Sequence, residues 1–311
     1  MMMDIKWARE FGIGTFVVPA FSSIDPRLED WFLPASEPPF DINYALFYNP
    51  DTDFDPKSQD RLDTQITDMK EFFTRHTQNT RYKRLPDGRP VVFYFLADVV
   101  AYWLGVDRVE QTAQLLRSNL AEDIFLVGDV MCEPYYVQYD HSGYQGEDYV
   151  RRQVKAFDGI TNYYIMRAGY KWSTPADFNH VVTPFQNMIK GYDEACAFWA
   201  AEARKYGVKM LPAPMPTGFS NRLLYEAGLD SWLVDRHEGV SYDTSKAMVE
   251  LGAKYADPDL KIVMISNWNE LDEGAAIVPS VGYKFDPAHA VRDTFAIQPS
   301  GGWPEDYNPP S

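Results

Sequence analysis

Short apolar stretches alternate along this chain with longer segments whose apolar residues recur every three or four positions. The first pattern is typical of buried strands, and the second is typical of amphipathic helices. Strands are predicted at residues 12–21, 42–48, 90–96, 123–130, 157–166, 208–213 and 260–266, with a short extended piece at 231–234. Helices are predicted at residues 60–75, 106–120, 185–206, 245–255 and 288–297.

Strands that alternate with helices predict a parallel sheet. Seven strands in a chain of 311 residues fit an α/β fold of the (β/α)8 TIM-barrel type better than an open sheet. Gly12-Ile13-Gly14 lacks the third glycine and the following helix of a dinucleotide-binding fingerprint, which argues against that fold. We expect residues 1–298 to form a single catalytic barrel domain and the Pro/Gly-rich residues 299–311 to form a flexible tail.

The predicted strand at residues 260–266 is followed by two carboxamides and three carboxylates within residues 267–273. Such groups are costly to place near a core, and the carboxyl ends of barrel strands converge on one functional face. We therefore interpret Glu270 and Glu273, beside Trp268, as the acid/base pair of a carbohydrate-active enzyme. The alternative is that the pair caps the following segment. Asp272 is expected to be a solvated or capping residue.

Polar and aromatic residues also follow other predicted strands, and together they would line one pocket. The chain is rich in aromatic residues, with 20 Tyr, 19 Phe and 8 Trp, and flat aromatic rings can bury the C–H faces of sugars. The expected substrate contacts from this pattern are Trp268, Asn269, Asn267, Tyr48, Asn49, Tyr94, Asp129, Tyr164, Asn221 and Arg222.

The net charge of −16 argues against nucleic acid and anionic membranes as partners. No apolar run reaches the roughly 20 residues of a membrane span, so no membrane insertion is expected. The first residues lack the apolar core of a signal peptide, so the chain as written is expected to be cytoplasmic unless its N-terminus is truncated. The two cysteines, Cys132 and Cys196, and the five histidines show no metal-ligand spacing. We expect neither a metal nor a cofactor.

The segment from Trp268 to Gly274, W-N-E-L-D-E-G, resembles the W-N-E-W-x-E-G signature of glycoside hydrolase family 99 and the related WbsX-like polysaccharide-biosynthesis proteins. Less specific pieces are similar to other family segments in the same order. They lie at residues 7–16, 87–91, 214–222 and 235–242, and the last adds Arg236 to the expected substrate contacts. The resemblance implies a (β/α)8 barrel and an oligo- or polysaccharide substrate.

The resemblance also implies roles for the two glutamates. Glu270 would act as base through the substrate's own 2-hydroxyl, and Glu273 would act as acid/base at the glycosidic oxygen of an α-mannoside. The local sequence agrees, because Asn267 and Asn269 can keep Glu270 ionised, whereas the apolar residues after Gly274 favour a protonated Glu273.

The chain departs from the family pattern in three ways. Leu271 replaces the second signature Trp, and Val278 replaces a later Glu. The chain also begins at the family's first helix, so the barrel is expected to lack its first strand unless other residues supply it. Three hypotheses follow: a retaining α-mannoside hydrolase, a WbsX-like enzyme of surface-polysaccharide biosynthesis, and a non-catalytic sugar-binding barrel.

Overall fold

The computed structural model describes residues 2–20, 27–36, 42–49, 63–64, 66–67, 70–120, 122–130, 146–163, 180–268, 275–278 and 284–298. Within these residues the strands are β1 (Thr15–Ala20), β2 (Asn43–Tyr48), β3 (Val91–Tyr94), β4 (Phe125–Asp129), β5 (Gly159–Thr161), β6 (His180–Val182), β7 (Lys209–Met210) and β8 (Leu233–Asp235). The helices are α1 (Met2–Glu10), α2 (Leu33–Ser36), α3 (Lys70–Thr77), α4 (Ala97–Leu104), α5 (Val106–Asn119), α6 (Gly146–Lys155), α7 (Phe185–Tyr206), α8 (Arg222–Glu226), α9 (Tyr242–Tyr255) and α10 (Asp286–Thr294). A π-helical turn at Arg27–Phe32 precedes α2.

The main sheet is parallel and has the strand order β1-β2-β3-β4-β5-β7. Parallel neighbours need crossover connections, and α3, α5, α6 and α7 supply them between successive strands. This arrangement confirms the predicted α/β alternation, and the fold is of the α/β TIM-barrel type. The predicted tail at residues 299–311 lies outside the described residues.

The main sheet is strongly curved. The evidence is that side chains from strands that are not neighbours meet over its concave face. Phe47 in β2 and Tyr163, which follows β5, have ring centroids 6.5 Å apart although β3 and β4 lie between their strands. Strands are spaced about 4.8 Å apart, so a flat sheet would separate these positions by about 14 Å. Thr161 in β5 likewise donates to the sulfur of Met264 at 3.4 Å. The concave face is therefore the interior of the barrel.

Residues 260–266, predicted as a strand, run beside β7 without forming a regular strand. The carbonyl oxygens of Pro212 and Pro214 accept the N–H groups of Met264 and Ser266 at 2.8 and 3.0 Å. Proline has no N–H to donate in return, so only half of a parallel ladder can form between these two segments. The alternating prolines after β7 explain why this prediction was correct for position but wrong for regular structure.

The two ends of the curved sheet are β1 and residues 262–266, where residues 15–19 and 262–265 are only partly buried and Ser266 is fully buried. No backbone hydrogen bond joins them within the described part of the chain. Pro19 fits an edge position, because a proline in a sheet is tolerated where no partner needs its N–H. The ring of Trp268 lies edge-on to Phe16 of β1, with centroids 5.7 Å apart. An eighth strand of the main sheet is not found among the described residues.

The remaining predictions agree with the structure to different degrees. The predicted helices at residues 106–120, 185–206, 245–255 and 288–297 correspond to α5, α7, α9 and α10. The extended piece at 231–234 is β8, but it pairs with β6 outside the main sheet. The sequence analysis missed α2, α4, α6, α8 and β6. Among the helices that the structure describes, none combines the length and apolarity that a bilayer crossing requires.

A buried histidine links α3 to β2 and to the π-helical turn. His76 is 3% exposed, and its Nδ1 lies 2.8 Å from the hydroxyl of Tyr44. Its Nε2 lies 3.3 Å from a carboxylate oxygen of Glu29, which also pairs with Arg75. Burial is the main cause that lowers the pKa of His76 below its ordinary value, and the charge of Arg75 adds to it against the raising effect of Glu29.

We expect His76 to make the protein less stable as the pH falls below about 6.5, the ordinary histidine value. There the unfolded chain binds a proton that folded His76 takes up only at lower pH, so protonation favours unfolding. Thermal unfolding between pH 7.5 and 5.5 should therefore show a smaller drop in midpoint for His76→Gln than for the native chain. The exposed His180→Gln variant should retain the native drop. Equal drops for the native chain and His76→Gln would contradict this account.

Candidate active site

Three aromatic rings meet at the carboxyl ends of the strands, on the concave face of the sheet. The ring centroids of Phe47 and Phe95 are 5.2 Å apart, and those of Phe95 and Tyr163 are 5.1 Å apart. Phe47 lies in β2, Phe95 follows β3 and Tyr163 follows β5, and all three are half-buried. These three residues are called the aromatic cluster below. Partly exposed rings at this end of a barrel can pack against the apolar face of a sugar.

Asp129, at the end of β4, accepts hydrogen bonds from the backbone of the residues that follow β3 and β5. It is 2% exposed, and one carboxylate oxygen accepts the backbone N–H of Tyr163 at 3.0 Å. The other oxygen accepts the backbone N–H of Leu96 at 3.3 Å. Leu96 has a left-handed backbone with φ of 52°, which is unfavourable for a residue with a Cβ atom. The predicted contact Asp129 therefore positions the strand ends and the residues next to two rings of the aromatic cluster.

Asn267 and Trp268 continue the last segment of the sheet beyond Ser266. The hydroxyl of Tyr163 donates to Oδ1 of Asn267, which connects this residue to the aromatic cluster. Trp268 is half-buried, and its indole N–H has no hydrogen-bond partner in the described part of the chain. The structure thus brings Asn267 next to the end of β5, whereas the ring of Trp268 packs against Phe16 of β1.

A short loop between Trp268 and Ala275 contains both predicted catalytic glutamates, and backbone hydrogen bonds fix its two ends side by side. The N–H of Asn267 donates to the carbonyl of Ala275 at 3.1 Å, and the N–H of Ile277 donates to the carbonyl of Asn267 at 3.1 Å. Val278 donates to Trp268 at 2.9 Å. Three residues predicted to act on substrate lie between Trp268 and Ala275, and the structure does not describe them: Asn269, Glu270 and Glu273. The predicted contact Tyr164 is also outside the described residues.

Tyr48 and Tyr94 do not belong to the aromatic cluster. They lie on the convex face of the sheet, where both are fully buried and their ring centroids are 5.6 Å apart. Tyr94 faces Thr112 of α5, and burial raises its pKa far above the ordinary value. Asn49 follows β2 and is half-buried. Successive residues of a strand point to opposite faces, so the sequence indicates that Phe47 and Tyr48 cannot both face the interior, but not which of them does.

The predicted contacts Asn221, Arg222 and Arg236 are placed in the region that connects β7 to α9. Asn221 is fully buried, donates to Asp230 at 2.7 Å and to the carbonyl of Trp232 at 2.9 Å, and accepts from the backbone of Val234.

Arg222 is exposed and pairs with Asp235 at 2.7 Å. The buried Arg236 has its carbonyl against Gly218, where an added Cβ would lie only 2.3 Å away. These contacts support the loop, and the described contacts do not join them to the aromatic cluster.

A cavity of about 320 Å³ lies at the opposite end of the sheet, before β3, β4, β5 and β7. Its lining includes Arg89, which lies over the ring of Phe125, and Lys209. Three of the charged lining residues have ion-pair partners: Asp158 contacts Arg89 at 3.6 Å and Arg117 at 2.7 Å, and Lys209 contacts Asp259 at 2.7 Å. Substrates of barrel enzymes bind at the carboxyl ends of the strands, so we assign the candidate site to that end.

The site has no grouping of acidic, histidine or cysteine side chains suited to hold a metal ion within the described residues. The buried thiol of Cys196 accepts a hydrogen bond from Asn162 at 3.1 Å, and burial raises its pKa to about 12. A thiol with a raised pKa is a poor nucleophile. Among the described residues, this end of the sheet offers the aromatic rings of Phe47, Phe95 and Tyr163, the carboxamide of Asn267 and the carboxylate of Asp129.

No protein-family model matches this sequence, and no curated protein matches it. Solved structures do resemble it. A glycoside hydrolase-like protein aligns with a TM-score of 0.55 at 18% identity, over 94% of this chain and 84% of that one. A glycoside hydrolase family 99 endo-α-mannosidase from Bacteroides thetaiotaomicron aligns with a TM-score of 0.55 at 11% identity, over 94% and 81%.

A putative α-L-fucosidase from the same organism aligns with a TM-score of 0.51 at 10% identity, over 96% of this chain and 86% of that one. At these identities the similarity establishes the fold alone, which is an α/β barrel of the TIM type.

Proposed function

We propose that this protein is a retaining glycoside hydrolase that cleaves an α-linked, mannose-like residue. The observation that carries the proposal is the loop between Trp268 and Ala275, whose two ends are hydrogen-bonded together at the carboxyl end of the sheet. Consecutive Cα atoms are about 3.8 Å apart, so the chain cannot carry the Cα atom of Glu270 more than about 8 Å from that of Trp268. The same limit holds for Glu273 relative to Ala275.

In this proposal the two glutamates act on different oxygen atoms of the substrate. Glu273 donates a proton to the glycosidic oxygen as the bond to the leaving sugar breaks, and Glu270 removes a proton from the 2-hydroxyl so that this oxygen can attack the anomeric carbon. Water then opens the resulting 1,2-anhydro intermediate at the anomeric carbon: Glu273 now acts as base on the water, and Glu270 returns its proton to the 2-oxygen. Ala275, which follows the loop, is fully buried, and an apolar neighbourhood favours the protonated form that an acid requires.

The aromatic cluster supplies a surface for the sugar. Phe47, Phe95 and Tyr163 are partly exposed near Asn267, so a ring that packs on them lies close to the loop that carries the glutamates. The similarity to glycoside hydrolase barrels, including a family 99 endo-α-mannosidase, supports a carbohydrate as the substrate.

A non-catalytic sugar-binding barrel is the second candidate, and Val278 favours it. This residue stands where the resembling family has a glutamate, and it is buried in an apolar group with Trp7, Phe11, Ala276 and Ala288. Position 278 therefore cannot offer a carboxylate to a ligand. Such a protein would bind α-mannosides without turning them over.

The deciding experiment incubates the intact protein with α-linked mannobioses that differ in linkage, with a mannan oligosaccharide and, for comparison, with β-linked glucan oligosaccharides. We expect cleavage of at least one of them, and NMR of the first product should show retention of the anomeric configuration. Inversion would reject the proposed roles of the glutamates. Binding in calorimetry without any cleavage would favour the second candidate, and cleavage of β-linked glucan oligosaccharides alone would reject the substrate class.

A further inference from the structure

The carboxamide of Asn267 is hydrogen-bonded through its oxygen, and no described residue bonds to its nitrogen. Its Oδ1 accepts the hydroxyl of Tyr163, and its backbone N–H and carbonyl bond to Ala275 and Ile277. A carboxamide has one acceptor oxygen and an NH2 group with two donors. The NH2 group bonds to no other residue in the described part of the chain, so Asn267 presents donors.

Tyr163 is itself held from several directions. Its backbone N–H donates to Asp129 at 3.0 Å, and its carbonyl accepts the hydroxyl of Ser266 at 3.4 Å. Its ring packs against Phe95 and Phe47 of the aromatic cluster. A tyrosine fixed at both backbone and ring has little freedom to move its hydroxyl, so it can hold the Asn267 amide in one orientation.

From this geometry we propose that Tyr163 is a positioning residue for Asn267, and that the NH2 group of Asn267 donates a hydrogen bond to an oxygen of a bound neutral saccharide. The proposal rests on the proposed function only in that the ligand is a saccharide. A buried carboxylate, Asp129, lies next to Tyr163, and the chain carries a net charge of −16. An anionic sugar would be repelled there, whereas a hydroxyl or ring oxygen accepts from an amide without that cost.

The test uses two variants: one changes the proposed donor, Asn267, and the other removes the tyrosine hydroxyl that positions it. Asn267→Asp keeps an oxygen for Tyr163 but replaces both donors with an acceptor, and Tyr163→Phe removes the hydroxyl that fixes the amide. Both are made in a Glu273→Gln background, so that calorimetry with α-linked mannobioses measures binding without cleavage. We expect Asn267→Asp to weaken binding about 10-fold and Tyr163→Phe about 3- to 10-fold, the range for one hydrogen bond.

Two control variants separate these effects from general ones. Tyr225→Phe removes a tyrosine hydroxyl on α8, and Asn187→Asp adds a negative charge on the exposed surface of α7. Both should bind like the parent. In the catalytically intact chain, Tyr163→Phe should raise the KM for the cleaved mannobiose and change kcat little, because the hydrogen bond from Asn267 is proposed to act on the bound saccharide. Loss of a merely structural role would lower the thermal unfolding midpoint without a selective rise in KM.

The outcomes distinguish this proposal from the proposed function. If both variants bind like the parent, the donor role is overturned, while cleavage by the native chain leaves the hydrolase assignment standing. If both weaken binding but the native chain cleaves no α-mannoside, Asn267 remains the ligand donor and the hydrolase assignment fails. If the native chain binds none of the mannobioses, both are overturned.

Discussion

Replacing Glu273 by glutamine should lower the turnover of an α-mannoside by about 100- to 10,000-fold, the range expected when a general acid is removed. Glutamine has nearly the same shape, but it cannot donate a proton to the glycosidic oxygen or later act as base. Binding should change little, so the loss should appear in kcat rather than in KM. Steady-state kinetics on the cleaved mannobiose provide the measurement.

The leaving group gives this prediction a second, sharper readout. A nitrophenyl leaving group needs little protonation, so Glu273→Gln should lose less activity on an aryl α-mannoside than on a mannobiose in the bond-cleaving step. Glu270→Gln should lose similar activity on both, because its proposed role is at the 2-hydroxyl. Asp272→Asn, in the same short loop, is the matched control and should retain near-native turnover. Native turnover by Glu273→Gln would remove this residue from the mechanism.

The sheet was predictable from sequence because its strands are short apolar runs between helical segments. For example, residues 123–130 were predicted as a strand and Phe125–Asp129 form β4 with every residue buried. The outer strand β8 was harder to place. Residues 231–234 have strand character, but pairing with β6 depends on a contact between segments about 50 positions apart, which local patterns do not encode.

The strand ends were predictable as a region but not residue by residue. Tyr48 and Tyr94 carry polar hydroxyls, yet their parity in β2 and β3 points them at the helices. Phe47 and Phe95, which carry no polar group, are the residues that reach the aromatic cluster. The alternation along each strand determines the face, but only the known direction of the core tells which set of side chains is inside. Chemical type alone therefore selected the wrong face.

The sequence predicted the position of Asp129 but not the groups that it contacts. A carboxylate at the end of a buried strand was correctly located at the carboxyl end of the sheet. Its partners are backbone N–H groups of Leu96 and Tyr163, each more than 30 positions away along the chain. Backbone groups of this kind leave no sequence signal, so a supporting carboxylate and a substrate-binding one look the same before the fold is known.

Replacing Asp129 by alanine should destabilise the protein by about 2–6 kcal/mol. The change leaves two backbone N–H groups without acceptors, and a buried donor left unsatisfied costs about 1–3 kcal/mol. Leu96 would also keep its unfavourable left-handed backbone without the hydrogen bond that supports it. Water that enters the space left by the side chain would accept hydrogen bonds from these N–H groups and bring the loss of stability closer to about 2 kcal/mol. Urea denaturation of the native and variant chains measures the difference.

Asparagine at this position provides the most informative comparison. It is isosteric with Asp129, but its NH2 group would face one of the two N–H donors, so Asp129→Asn should also be destabilised although it leaves no cavity. Asp123→Ala, at an exposed position just before β4, should stay within about 0.5 kcal/mol of the native chain. If Asp129→Asn were as stable as the native chain, the charge and the two acceptor oxygens would not support this end of the sheet. Contacts other than those of Asp129 would then have to fix the positions of Tyr163 and the other two rings of the aromatic cluster.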